Sequence, residues 1–152
     1  MLQEGCVSKR LLTLTRKLLG EAAFKNYFLV GKTALALQIG HRKSDDIDLF
    51  TQKELRIPEI TKYLKQYHSG SYQLLNSQKM IYQVMIDGIK VDFVHHPFEL
   101  VEAVYHESQI TYLGKKDLAA MKLHAIETSG NRAKDFIDIF FFAQGNAIGK
   151  DV

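Results

Sequence analysis

Apolar positions along the chain change period several times, and each change marks an element. Residues 8–19, SKRLLTLTRKLL, set Leu11, Leu12, Leu14, Leu18 and Leu19 near helical spacing, with Ser8 as the N-cap. Asn26 to Val30 reads as a short strand. Thr33 to Ile39, rich in Ala and Leu, predicts a buried helix that stops at Gly40. Asp46 to Thr51 predicts another strand, and Ile57 to Tyr67 a helix entered through Pro58. Residues 72–78 supply a further strand. In YQVMIDGIKVDFV, two alternating runs meet at Asp87-Gly88, the pair favoured in two-residue type I′ hairpin turns. After Pro97 the pattern turns helical, over 98–105, 115–127 and a very apolar 133–144. Strands early and helices late predict an α+β domain whose C-terminal portion, about 98–146, is helical.

A length of 152 residues suits one domain, 1–152. Hydrophobic residues at 46% and charged residues at 24% are the balance of a globular chain. No apolar run approaches the ~20 residues that cross a bilayer. Charges stand where a signal peptide would have its apolar core, so a cytoplasmic location without a membrane partner is expected. The single cysteine, Cys6, excludes an internal disulfide and a multi-cysteine metal site. A net charge of +3 is compatible with a phosphate-rich substrate and demands none.

The acids carry more information. Alternate side chains of a strand share a face, so Asp46 and Asp48 point one way while Ile47 and Leu49 point into a core. Two carboxylates about 7 Å apart at Cα repel unless a cation lies between them. Oxygen ligands favour a hard ion such as Mg²⁺, which binds through one or two carboxylates plus substrate phosphates. Asp92 is the lone acid of another apolar strand, IKVDFV. If the two strands lie side by side, Asp46, Asp48 and Asp92 converge. Such a trio can hold two metal ions and activate an oxygen for in-line attack at phosphorus. In the bland reading, Asp45 and Asp46 cap a turn and Asp92 solubilises an edge strand.

A glycine turn precedes the acids. Strand, Gly31-Lys32-Thr33, then helix leaves backbone N–H groups where a phosphate can sit, with the Lys32 cation and Thr33 hydroxyl beside them. The intervening helix is long enough to return the chain beside the first strand, so that the turn and the acids face one pocket.

These residues, in this order, resemble the signature of DNA polymerase β-like nucleotidyltransferases. The finer resemblance is to the AbiEii/AbiGii toxin-type nucleotidyltransferases, whose first motif is similar to GGTAL…R-x-S-x-D-h-D. Here it reads Gly31-Lys32-Thr33-Ala34-Leu35, then Arg42, Ser44, Asp46 and Asp48, with Lys32 in place of the usual second glycine. A helical Asp-x-x-x-x-Lys is matched by Asp117 and Lys122, and a later Lys/Arg-Asp-x-x-Asp by Lys134, Asp135 and Asp138. The resemblance implies a polymerase β-like fold, a small mixed sheet flanked by helices. It implies metal-dependent transfer of a nucleotidyl group from an NTP to an acceptor hydroxyl on RNA (tRNA included) or protein. Asp46 and Asp48 would hold Mg²⁺ or Mn²⁺, and Asp92 would complete the metal site or act as base. Gly31, Lys32 and Thr33 would cradle the β/γ phosphates, supported by Arg42, Ser44 and Lys122. Asp135 belongs to the catalytic set that the last motif implies. The biological setting implied is the toxin of a bacterial toxin–antitoxin or abortive-infection pair, with a cognate antitoxin as partner. The alternative function is an NTP-binding regulatory module that keeps this fold without turnover.

Other features are read more plainly. Asp135 and Asp138 share a helix face among apolar residues, where they pair with Lys122 or Arg132 or meet the substrate. His95-His96 face opposite ways on a strand and lack a third ligand, so a strand end is expected. Tyr63, Tyr67 and Tyr72 could stack on bases, although packing is the commoner use.

Overall fold

The elements follow the predicted periods up to Pro97 and depart from them just beyond it. The computed structural model describes residues 2–121. Its order is α1 (Lys9–Leu19), β1 (Tyr27–Val30), α2 (Gly31–Ile39), β2 (Ile47–Thr51), α3 (Ile57–Tyr67), β3 (Tyr72–Ser77), β4 (Ile81–Ile86), β5 (Ile89–His95), β6 (Tyr105–Glu107) and β7 (Ile110–Tyr112). Residues 115–121 are helical again. Ser8 caps α1 by accepting the Leu11 N–H at 3.1 Å. Gly40 ends α2 in the left-handed region, φ 63°, and returns its N–H to the Ala36 carbonyl at 2.8 Å. Asp87 and Gly88 both have positive φ, 51° and 82°, as the type I′ turn between β4 and β5 requires.

The seven strands form one mixed sheet in the order β3-β4-β5-β2-β1-β7-β6. β2 runs antiparallel to β1 and parallel to β5, while β7 runs parallel to β1. Registered residues share a face, so the pairings Leu29↔Leu49 and Leu49↔Phe93 lay a row of fully buried side chains across three strands. On this face Phe93 meets Phe24, Tyr27 and Tyr82 with ring centroids 5.2, 5.7 and 6.2 Å away. Tyr63 of α3 closes the cluster at 5.1 Å from Phe24. The opposite face of β4, β5 and β2 alternates with these positions and is only half-buried, carrying Gln83, Lys90, Asp92, Asp48 and Phe50. A sheet with one packed face and one wet face can place charges in its middle strands without stranding them in a core.

The helix expected at 98–105 does not form. Residues 98–104 run without regular structure, and 105–112 make the β6–β7 hairpin, which extends the sheet instead. Two contacts override the helical pattern. The buried Asp117 carboxylate accepts the backbone N–H groups of Val101 at 2.6 Å and Glu102 at 3.2 Å, donors that a helix would leave open only at its start. Leu113 N–H donates to the Leu29 carbonyl at 2.9 Å, anchoring the end of β7 to β1. The hairpin turn, Ser108-Gln109, has φ 53° and 67° without a glycine or asparagine. Among the described residues no helix is long and apolar enough to cross a membrane.

Candidate active site

The site begins where β1 passes directly into α2. Val30 is the extended N-cap residue and offers no side-chain cap, and the first turn of α2 carries no acid of its own. An acid comes from β2 instead. Gly31 has φ +71°, and a Cβ built on it would stand 2.5 Å from Asp48 Oδ2 and 3.2 Å from Asp48 Cγ. Glycine is required here for its backbone conformation and for the space it leaves to a carboxylate. That carboxylate sits at the positive end of α2.

β-Sheet register then brings the second acid in. Asp48 pairs with Val30 across the antiparallel ladder and with Asp92 across the parallel one. Asp48 and Asp92 therefore lie side by side on the half-buried face, on strands roughly 4.8 Å apart. The Asp92 side chain is 15% exposed. Its Oδ2 accepts a hydrogen bond from Gln83 Nε2 at 3.2 Å and lies 3.7 Å from Lys90 Nζ. Its Oδ1 is buried and has no hydrogen-bond partner among the described residues. A buried carboxylate oxygen without a donor is costly, and a cation or a hydroxyl proton would satisfy it.

Asp46 stands at the margin. It precedes the first ladder pair, Ile47↔Val91, and is exposed. Partial burial of its carboxyl, then the charges of Asp45 and Asp92, raise its pKa above the ordinary carboxylate value, with Lys90 and Lys32 acting against them. It thus shares a field with Asp92 and Lys32. Among the described residues no group of three or more His, Cys, Asp or Glu side chains is gathered closely enough to hold a metal ion. The structure brings Asp48 and Asp92 together and leaves Asp46 beside them.

The phosphate-side residues divide in two. Thr33 is buried, and its hydroxyl shares a 2.7 Å hydrogen bond with Ser44 Oγ and donates to the Asp46 carbonyl. The Ser44 N–H in turn donates to the Cys6 carbonyl at 3.1 Å. This pair ties the segment before β2 to the first turn of α2. Lys32 and Arg42 are half-buried, with Lys32 in the first turn of α2. Lys122 and Asp135, with Arg132, Lys134 and Asp138, lie outside the described residues.

Of the remaining candidates, Tyr63 and His96 pack against neighbouring side chains. Tyr63 is buried, its hydroxyl 3.1 Å from His68 Nε2, and burial pushes its phenol up to about 12. The His96 ring lies between those of Phe50 and Phe98, at 5.1 and 4.7 Å. Gln83, Lys90 and Asn76 were not singled out by the sequence. Their signal was there in part: Gln83 and Lys90 are the polar members of alternating strands, on the parity of Asp92.

Comparison with known proteins agrees with this geometry. The family model described as nucleotidyl transferase AbiEii toxin, type IV toxin–antitoxin system, matches residues 13–151. An uncharacterized protein of Aquifex aeolicus (strain VF5) is 32% identical over 120 residues, covering 76% of this chain and 57% of its own length. The chain thus spans little more than half of that relative. Among solved structures, JHP933 from Helicobacter pylori superposes with a TM-score of 0.66 at 18% identity, over 91% of this chain and 68% of that one. The Megavirus polyadenylate synthase does so with a TM-score of 0.66 at 14% identity, over 93% of this chain and 32% of that one. At such identities the two structures share the fold, which is the polymerase β-like nucleotidyltransferase fold. With its glycine turn, its registered acids and a family match over nearly its whole length, the chain belongs to the AbiEii nucleotidyl transferase toxin family.

Proposed function

We propose that this protein transfers a nucleotidyl group from an NTP to an acceptor hydroxyl on RNA or protein, in a metal-dependent reaction, as a toxin opposed by a cognate antitoxin. The observation that carries this reading is the Asp48↔Asp92 register beside Gly31, with Asp92 Oδ1 buried and without a donor among the described residues. Those residues fit a hard divalent ion: two carboxylates in register suffice when substrate phosphates supply further oxygens. Asp48 and Asp92 would hold Mg²⁺ or Mn²⁺, with Asp46 as the third carboxylate of the set. When bound, the ion supplies charge neutralisation and polarisation at the reacting phosphate.

The chain's own groups do the rest. Backbone N–H groups at the start of α2 receive the β/γ phosphates, and Gly31 leaves room for the Asp48 carboxylate beside them. Lys32 adds a charge-assisted contact, and Arg42 and Lys122 support it. Thr33 and Ser44 keep the acid-bearing segment against the phosphate turn. Asp92 Oδ1, buried and without a donor among the described residues, would take the proton of the acceptor hydroxyl where it is not spent on the metal, as that oxygen bonds to the α-phosphorus and pyrophosphate leaves. Asp135 completes the proposed set.

Lys32, in place of the family's second glycine, supports a second reading: an NTP-binding module without turnover. Incubation with each α-labelled NTP, Mg²⁺, total RNA and cell protein separates the two. Label on an acceptor, absent with Asp48→Asn, supports transfer. NTP binding with no labelled acceptor favours the module, and no NTP binding rejects both.

A further inference from the structure

The half-buried face carries a polar row that runs beyond the two acids. Asn76 of β3 pairs with Gln83 of β4, Gln83 with Asp92 of β5, and Asp92 with Asp48 of β2. The side chains connect as well as align. Asn76 Nδ2 donates to Gln83 Oε1 at 3.2 Å, and Gln83 Nε2 donates to Asp92 Oδ2 at 3.2 Å. The direction of this chain is dictated by its end. An ionised carboxylate only accepts, so Gln83 must turn its NH₂ to Asp92 and its oxygen to Asn76, which must then present its own NH₂.

A break in the ladder delivers Asn76. The β3–β4 register shifts between Leu74 and Asn76: Leu74 pairs with Val84, and Asn76 with the next residue along β4, Gln83. In an unbroken ladder Leu75 would stand opposite Gln83, and Asn76 would pair with Tyr82. The extra residue re-phases the strand so that an amide, in place of a leucine, reaches the row. Bulges near functional sites commonly re-aim a side chain in this way.

We infer that Asn76 and Gln83 are positioning residues for Asp92, acting on the proposed metal and acceptor site without touching substrate. Gln83 and Lys90 both engage Oδ2, which leaves Oδ1 as the oxygen presented to the ion or to the hydroxyl. Asn76 locks the Gln83 amide in the donating orientation. A polar relay that holds a ligand carboxylate in one rotamer commonly matters to the site almost as much as the ligand itself. The inference rests on the nucleotidyltransferase reading and adds to it the residues that aim its buried acid.

The test uses Gln83→Met, which keeps length and removes the donor, together with Asn76→Ala, the double variant and Asp92→Asn. Mn²⁺ binding to the full chain is followed by calorimetry or by the free-Mn²⁺ EPR signal, well below the melting temperature, beside nucleotidyl transfer. Gln83→Met is expected to weaken Mn²⁺ binding about tenfold or more and to lower kcat with KM for NTP nearly unchanged. Asn76→Ala should move both in the same direction by less, and the double variant should be no worse than Gln83→Met alone, because the two act through one hydrogen-bond chain. Wild-type Mn²⁺ affinity and kcat in Gln83→Met would overturn the inference. Should that variant misfold, unchanged Mn²⁺ affinity and kcat in Asn76→Ala would overturn it equally. If Asp92→Asn itself binds Mn²⁺ and transfers like wild type, the use of Asp92 in the proposed function fails, and the inference with it. If Asp92→Asn fails while Gln83→Met does not, only the positioning role is lost.

Discussion

Gly31 and Asp48 lie so close that a single methyl group on the glycine would stand 2.5 Å from the aspartate's Oδ2. The contact joins the start of α2 to the acid of β2, and both penalties of substitution fall on it. Gly31→Ala places an L-residue at φ +71°, which costs about 1–2 kcal/mol, and also pushes the carboxylate aside. Thermal melting of Gly31→Ala should drop by several degrees, roughly 2–4 °C per kcal/mol for a chain of this size. Transfer should fall by more than the folded fraction explains. A variant with normal melting and normal turnover would show that the contact has no functional weight.

Asp46 and Asp48 should separate stability from chemistry. Asp48→Asn or Asp46→Asn is expected to abolish transfer while leaving the fold intact, because a ligand is lost but like-charge repulsion is relieved. For Asp46 the pH dependence follows from its raised pKa. A carboxyl whose pKa is higher folded than unfolded favours folding below the unfolded value, and this contribution is lost as pH rises through the folded one. At neutral pH, Asp46→Asn should therefore melt at or slightly above the wild-type temperature. The difference should shrink on acidification through the carboxylate range. A clear loss of stability at pH 7 in the variant would contradict this sign.

Lys32 is expected to bind triphosphate. A charge-assisted contact is worth about 1.5–3 kcal/mol, roughly ten- to a hundredfold in affinity. Titrating Mg-NTP into wild type and Lys32→Gly measures it directly. Weaker binding in the variant agrees with a phosphate contact, unchanged binding makes Lys32 a bystander, and tighter binding means that its side chain obstructs the pocket.

Asp117 is expected to act on the fold. Its buried carboxylate holds Val101 and Glu102 through their backbone N–H groups. Asp117→Ala removes two bonds to a charged acceptor, and because Val101 itself is exposed, water recovers part of the loss. About 1–3 kcal/mol of destabilisation should result. NTP affinity measured below the melting transition should stay near wild type. A large affinity loss in a stably folded variant would move Asp117 into the binding site.

Local sequence determined the elements whose signals are local. Leucine spacing and Ser8 specify α1, Gly40 specifies the end of α2, and Asp87-Gly88 specifies the β4–β5 turn, since each depends on residues within a few positions of one another. Strand parity likewise put Ile47 and Leu49 in the core and Asp48 on the half-buried face, whereas Asp46, expected to share that strand face, stands just before β2. The glycine turn and the paired acids were legible as a motif because their spacing is set by one helix. What parity could not decide is which strand lies next to which. The pairing of Asp48 with Asp92 spans more than forty residues of chain and is chosen by burial of Leu49 against Phe93 on the other face. The same holds for the residues after Pro97. Their apolar spacing favours a helix, but capture of the Val101 and Glu102 N–H groups by Asp117, and the pairing of β7 with β1, are gains available only once the sheet exists. The Ser108-Gln109 turn left no sequence signal, because its positive φ angles are imposed by the strands it joins. Asn76 is the finest case: one extra residue in β3 decides whether an amide or a leucine reaches Gln83, and only the assembled ladder shows where that residue is absorbed.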